Sequence, residues 1–446
     1  MNTPICDFVR EYDAKKHLRM LMPGHKGTSV LGIEHLDITE IQGADSLYEA
    51  EGIIAQSEAN ASLLFGCKTY YSTEGSSQCI RAMLYLTMLY AKQHGKKSLV
   101  AATRNAHKTF LTAAALLDVK VDWLYSESDF GYLSCDLTPS ELDRYLHNVT
   151  EKPAVVYVTS PDYLGKIMDI RGLADVCHRH NVHLAVDNAH GAYLRFLPKS
   201  MHPIDLGADI CCDSAHKTLP VLTGGAYLHL SDKMDVAVGG QVKNALMLFG
   251  STSPSYLILQ SLDAANEILR DFPEKLKEEM HQIEMFKESI RQYGYTLYGD
   301  ELLKLTIDTK PLGYSGYQMA DLLRQQKIEP EYADPDYVVL MLSYQMDANE
   351  LGYLKQVLCQ ISPKTPIVNR CPQLIVGVKK LEIREAMFSN CEILPVDECV
   401  GRVVAVPTIG CPPAVPILVC GEQIDEHAMN CFSYYGIDTC CVVKTS

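Results

Sequence analysis

Short apolar runs separated by helical patterns set the strongest limit on what this chain can fold into. The runs recur at residues 98–101, 154–158, 183–186, 210–212 and 226–230. Helical spacing lies between several of them, at 109–117 and 173–179, and precedes them at 53–65, closed by Gly66, and at 76–91. Strands apolar at nearly every position have both faces covered, so this order predicts an α/β chain with a mostly parallel sheet wrapped by helices. Ligands of such sheets gather beyond the carboxyl ends of the strands. Asp187, Ser160 and Ser214 all follow apolar runs and can meet there.

Beyond Ser253-Pro254 the pattern changes. A long helical stretch covers 256–293, interrupted at Pro273, and shorter strand and helix candidates follow, including a strand at 338–342. After Pro363 the chain is rich in Pro, Val and Cys, which predicts a small α+β C-terminal region. The expected division is an N-terminal segment over 1–50, a large domain over 51–255, a small α/β domain over 256–362 and a C-terminal domain over 363–446. No internal repeat or low-complexity tract stands out.

Composition narrows the function classes. The 446 residues are 47% hydrophobic and 21% charged, the balance of a globular protein with more than one core. No run of about 18 apolar residues is present, and the N-terminus lacks the apolar core of a signal peptide, so the cytoplasm is expected. A net charge of −15 disfavours nucleic acid and anionic membranes as partners, and is compatible with a cationic small substrate. Sixteen cysteines raise the question of disulfides or metal. There is no C-x-x-C, and the adjacent pairs Cys211-Cys212 and Cys440-Cys441 have poor geometry for either, so reduced thiols and no metal are expected.

One pair of segments carries chemistry. Asp187 ends an apolar run, and Lys217 of Ser214-Ala215-His216-Lys217-Thr218 lies thirty residues after it. A lysine amine and a strand-end carboxylate are what pyridoxal 5′-phosphate needs: an amine for its aldehyde, and an anion that keeps the pyridine nitrogen protonated. Ser72-Thr73-Glu74-Gly75-Ser76-Ser77 leads straight into a helix, whose free N–H groups and hydroxyls suit a phosphate. Ser214, three residues before Lys217, can reach the same phosphate. His107, after the run at 98–101, can stack on a flat ring.

With these residues in place, the chain resembles the short bacterial form of the Orn/Lys/Arg decarboxylase family, of PLP-dependent fold type I. Matching segments are Met22-Pro23-Gly24-His25-Lys26-Gly27, Arg104-Asn105-Ala106-His107-Lys108, Ser160-Pro161-Asp162-Tyr163-Leu164-Gly165, Val186-Asp187-Asn188-Ala189-His190-Gly191-Ala192, Ser214-Ala215-His216-Lys217 and Gly250-Ser251-Thr252-Ser253-Pro254. Val400-Gly401-Arg402 and the stretch from Pro412-Pro413 to Gly421-Glu422 resemble the family's final domain. The resemblance implies a cofactor-binding domain over 51–255 and a decarboxylase-type domain over 363–446.

It also implies roles. Lys217 binds the cofactor aldehyde, Asp187 pairs with the ring nitrogen, His107 stacks on the ring, and Ala189 packs on the opposite face, with His190 beside it. Gly75, Ser76, Ser77, Ser214 and His216 surround the phosphate. A Ser or Thr of an adjacent subunit (Ser251, Thr252 or Ser253) completes the site, so a homodimer with a shared active site is implied. His216 or Lys217 returns the proton after carbon dioxide leaves. The implied activity is decarboxylation of a basic amino acid to a polyamine precursor, with arginine and lysine placed ahead of ornithine. Alternatives are a PLP-dependent aminotransferase or lyase of the same fold, or a PLP-binding protein without decarboxylase activity. Glu74, Asp162 and Cys411 depart from the family pattern. Glu422 and Asp45 are the acids offered to the substrate's distal cation.

Overall fold

The computed structural model describes residues 2–127, 131–372, 376–407 and 414–445. The chain divides into two units, one holding Met1–Ser98, Asn148–Val158 and Ile170–Glu274, the other Leu99–His147, Thr159–Asp169 and Lys275–Ser446.

The first seven strands along the chain are β1 Lys68–Ser72, β2 Leu99–Thr103, β3 Lys120–Leu124, β4 Val155–Thr159, β5 His183–Asp187, β6 Ile210–Asp213 and β7 Ala226–Leu230. Those of the first unit follow the order β1-β7-β6-β5-β4. β5 and β6 pair in parallel, from Ala185 opposite Ile210 to Asp187 opposite Cys212. β7 runs antiparallel to both its neighbours, β6 and β1, so β1, β5 and β6 share one direction. Every residue of β5, β6 and β7 is buried, which is why these strands read as unbroken apolar runs. The reversal of β7 has no counterpart in sequence, because a run buried on both faces looks the same in either direction.

Helices start and stop where local chemistry dictates. Ile53–Phe65 ends at Gly66, whose φ of 69° suits glycine and whose N–H returns to the Ser62 carbonyl at 2.9 Å. The helical stretch expected over 256–293 is two helices, Tyr256–Arg270 and Phe272–Gln292. Pro273 sits in the first turn of the second helix, where a missing N–H costs nothing.

One buried acid joins three helices. Asp263 Oδ2 accepts the N–H groups of Ile5 and Cys6 at 2.9 Å each, in the first turn of Pro4–Ala14. Its Oδ1 accepts the Ser57 hydroxyl of Ile53–Phe65 at 2.6 Å.

In the second unit β2 and β3 pair in parallel. Four more strands, β8 Thr296–Tyr298, β9 Lys304–Asp308, β10 Tyr332–Ala333 and β11 Tyr337–Met341, form an antiparallel sheet in the order β10-β11-β9-β8. Near the C-terminus β12 Val378–Lys379 pairs with β14 Glu422–Gln423, and β13 Cys391–Pro395 with β15 Thr439–Val443. Val404, Ile417, Ile424 and Phe432 from this C-terminal region share one hydrophobic core with Tyr163, Tyr332 and Val339. The Pro- and Cys-rich tail is therefore packed into the second unit. All fifteen described cysteines are free thiols.

Replacing Asp263 with Ala strands two helix N–H groups and a hydroxyl, and should lower the unfolding free energy by about 2–4 kcal/mol. Asp263→Asn keeps an acceptor and should cost less. Urea unfolding of the three proteins checks this ordering, and an unchanged midpoint for Asp263→Ala would contradict it.

Candidate active site

The parallel register of β5 and β6 brings the two chemical segments together. Asp187 is the last residue of β5 and lies opposite Cys212. One residue past β6, Ser214 opens a single helical turn, Ala215–Thr218, that carries His216 and Lys217. That turn is held by the Lys217 N–H to the Ser214 carbonyl at 3.0 Å and the His216 N–H to the Gly225 carbonyl at 3.2 Å. Lys217 is exposed, and its Nζ lies 3.0 Å from Nε2 of buried His190.

Asp187 is 2% exposed. Its Oδ2 accepts the Tyr157 hydroxyl at 3.2 Å, and its Oδ1 accepts the Ala189 N–H at 3.2 Å and the Cys212 thiol at 3.8 Å. Burial pushes the carboxyl above the ordinary aspartate range, although Lys217 and these donors draw it back. Burial also lifts the Cys212 thiol far above its usual value, so it acts as a neutral S–H donor. A buried acid whose charge is incompletely met is suited to a cationic ring nitrogen.

The proposed phosphate turn stands in the same unit. The 19-residue helix Gly75–Gln93 begins at Gly75, whose φ of 73° suits glycine and whose N–H reaches the Gly224 carbonyl at 2.7 Å. A Cβ at Gly75 would meet nothing within 4 Å, so the space before the helix is open. The Ser214 hydroxyl donates to Ser76 Oγ at 2.7 Å, which ties the lysine turn to the first helical turn beside Ser77. Glu74 accepts the Ser251 N–H, and Ser253 N–H donates to Ser251 Oγ at 3.1 Å. The departure at Glu74 thus anchors the exposed loop carrying Thr252 to the phosphate turn.

His216 donates its Nδ1–H to the Gly225 carbonyl at 3.1 Å. Burial lowers its pKa, so its neutral ring keeps a lone pair on Nε2.

The remaining expected residues have local partners. In the second unit His107 caps the helix Lys108–Leu117, its Nδ1 accepting the Thr109 N–H at 3.1 Å. Glu422 is buried, and its Oε2 accepts Arg104 Nη2 at 3.1 Å and the Val419 N–H at 2.8 Å. Arg104 also donates to the carbonyls of Pro416 and Ile417. In the first unit Asp45 accepts the N–H groups of Glu51, Gly52 and Ile54 at 2.8–3.1 Å, which accounts for it as a cap of Ile53–Phe65. Asp162 accepts the Lys166 N–H at 2.9 Å and shapes its own loop. Cys411 lies outside the described residues.

Sequence reasoning missed Tyr157 and Cys212, which are hidden inside apolar runs, and a second buried cluster. Donor atoms of His202, Cys211 and Asp213 lie within 4.8 Å of one another, a set able to hold a metal ion.

Asp162 generates a pH prediction. Burial raises its pKa from 3.8 to about 6 despite its hydrogen bonds and Lys304. A raised carboxyl contributes stability below its unfolded pKa and loses it as pH climbs through the folded one. Between pH 3.8 and about 6 the wild type should lose up to about 3 kcal/mol that Asp162→Asn does not. Parallel unfolding profiles for the two proteins would contradict this.

Comparison with known proteins identifies the family. Residues 3–310 match the Orn/Lys/Arg decarboxylase major domain, and residues 378–438 match the C-terminal domain of the same family. The chain is 27% identical over 465 residues to arginine decarboxylase of Bacillus subtilis (strain 168), covering 96% of this chain and 92% of the relative. It is 27% identical over 468 residues to arginine decarboxylase of Halalkalibacterium halodurans, covering 95% and 91%. Among solved structures, the Francisella novicida lysine decarboxylase has a TM-score of 0.79 at 17% identity, covering 99% of this chain and 81% of that one. The constitutive lysine decarboxylase of E. coli has a TM-score of 0.77 at 17% identity, covering 99% and 82%.

Proposed function

This chain belongs to the Orn/Lys/Arg decarboxylase family, and from that premise we propose that it removes carbon dioxide from a basic amino acid with pyridoxal 5′-phosphate as cofactor. Its architecture is that of PLP-dependent fold type I. The observation that carries the reading is the buried Asp187 at the end of β5 with Lys217 on the turn after the adjacent parallel strand.

The residues of the first unit fit the cofactor. Asp187 would hold the proton on the ring nitrogen, Lys217 would supply the amine for its aldehyde, and Ser76, Ser77, Ser214 and the helix N-terminus at Gly75 would hold its phosphate. When bound, the group supplies a protonated ring that accepts the electron pair left as carbon dioxide departs. His190 Nε2, 3.0 Å from Lys217 Nζ, is placed to take a proton from the ammonium and leave a neutral amine. Burial holds His216 toward its neutral form, so the proton returned to the substrate carbon would come from Lys217 after His190 hands its proton back. His107 is proposed as the stacking residue and Ala189 as the opposing face, on the resemblance of their segments.

We also propose a homodimer in the cytoplasm, producing a polyamine precursor. Support for the dimer comes from the segment over 18–33, where Leu18 is 86% exposed and Val30 83%. Apolar side chains so concentrated at a surface ask for a partner, here a second copy whose Thr252 loop would approach the site. No helix among the described residues is long and apolar enough to cross a membrane.

Incubation with pyridoxal phosphate should give a visible absorbance band, and borohydride should fix the group to Lys217. Arginine, lysine and ornithine tested in parallel should release carbon dioxide from at least one. Asp187→Asn should lower kcat at least about 100-fold, the loss of roughly 2.7 kcal/mol of transition-state stabilisation. A colourless protein, or a keto acid product in place of carbon dioxide, would overturn the reading.

A further inference from the structure

Asp213 ends β6 immediately before Ser214, and it is fully buried. Its Oδ2 accepts His202 Nε2 at 3.2 Å and His229 Nε2 at 3.1 Å. Its Oδ1 accepts Asn188 Nδ2 at 2.7 Å. A buried carboxylate is expensive unless every face meets a donor, and here three donors fix its orientation. The histidine rings are themselves wedged in an aromatic cluster, with Phe65 centroids 5.7 Å from His202 and 4.6 Å from His229. The Oδ2 side is thereby anchored in the core, and Oδ1 is aimed at the residue next to Asp187.

Asn188 has little freedom of its own. Its N–H donates to the Cys212 carbonyl at 3.0 Å, and its carbonyl accepts the Gly191 N–H at 2.8 Å. A Cβ at Gly191 would fall 2.0 Å from Asn188 Oδ1, so only glycine leaves room for that side chain. The turn from Asn188 to Gly191 contains the Ala189 N–H that meets Asp187 and the His190 ring that meets Lys217.

We infer that Asp213 is a positioning residue: clamped by His202 and His229, it holds Asn188 and so fixes Asp187, Ala189 N–H and His190 against the Lys217 turn that Asp213 itself begins. This rests on the proposed cofactor chemistry, and gives a role to a cluster which that chemistry does not otherwise use. His229 Nδ1 is met by Thr69 Oγ1 at 2.9 Å, with the Cys67 thiol 3.7 Å away, and the Cys211 thiol lies 3.9 Å from His202 Nε2. Thr69 and Cys67 thus back His229 on the side away from Asp213, and Cys211 lies on the Asp213 side of His202.

The test compares wild type, Asp213→Asn, Asn188→Ala and the double variant, each loaded with pyridoxal phosphate. Asn188→Ala leaves the histidine clamp intact and serves as the variant expected to fold. Each single change should shift the pH midpoint of the visible absorbance by about one unit and weaken cofactor affinity about tenfold, the worth of one charge-assisted hydrogen bond. The double variant should shift no further, since both changes break the same link. In the cofactor-free chain, amide exchange at 187–190 and 213–217 should rise together in Asp213→Asn. An unmoved absorbance midpoint in Asn188→Ala, or faster exchange confined to β6 and β7, would reduce Asp213 to core support and overturn the inference. Stoichiometric metal in the wild type, lost in Asp213→Asn, would also overturn it in favour of a metal site. A wild type that takes up no cofactor would sink the proposed function, leaving the exchange experiment to decide the link.

Discussion

A carboxylate withdrawn from water at the end of a strand is the constraint around which the first unit is arranged. Asp187 is costly to bury as an anion, and the chain offsets that cost with a tyrosine hydroxyl, a backbone N–H and a thiol while leaving the acid incompletely met. The parallel register then delivers the lysine turn from the next strand. β7 supplies the floor beneath that turn through the Gly225 carbonyl just before it, which receives both the N–H and the ring N–H of His216. The geometry at the strand ends follows from which strands lie side by side, and that is set by the buried apolar runs.

Much of this was readable from the residues. The helix Ile53–Phe65 closes at Gly66 as its spacing and left-handed glycine require, and the strand over Ala226–Leu230 falls where the apolar run does. The lysine and acid segments were identifiable because a strand-end Asp and a Ser-x-His-Lys turn are rare in combination. What stayed hidden was pairing. Tyr157 and Cys212 are single polar atoms inside apolar runs, and only the neighbouring strand reveals that they face Asp187. The reversal of β7 and the packing of the C-terminal region with Tyr332 and Val339 are likewise long-range facts with no local mark.

The unusual acids divide into ordinary physical roles. Glu74 spends its carboxylate on the Ser251 N–H, which holds the Thr252 loop, and Asp162 spends its own on the Lys166 N–H. Asp45 caps a helix and Glu422 neutralises Arg104. A carboxylate in a loop meets free backbone N–H groups more often than it meets a ligand, and sequence alone cannot separate the two. Asp213 meets side-chain donors instead, and one of them, Asn188, lies on the segment that carries Asp187.

The central proposal is that Asp187, buried at the end of β5, would keep a bound pyridine nitrogen protonated. The nitrogen-15 chemical shift of ring-labelled pyridoxal phosphate bound to the wild type reads that proton directly. The account predicts a pyridinium shift that stays constant across the neutral pH range and collapses to the neutral-pyridine value in Asp187→Asn. A neutral ring in the wild type, or one indifferent to the substitution, would contradict it.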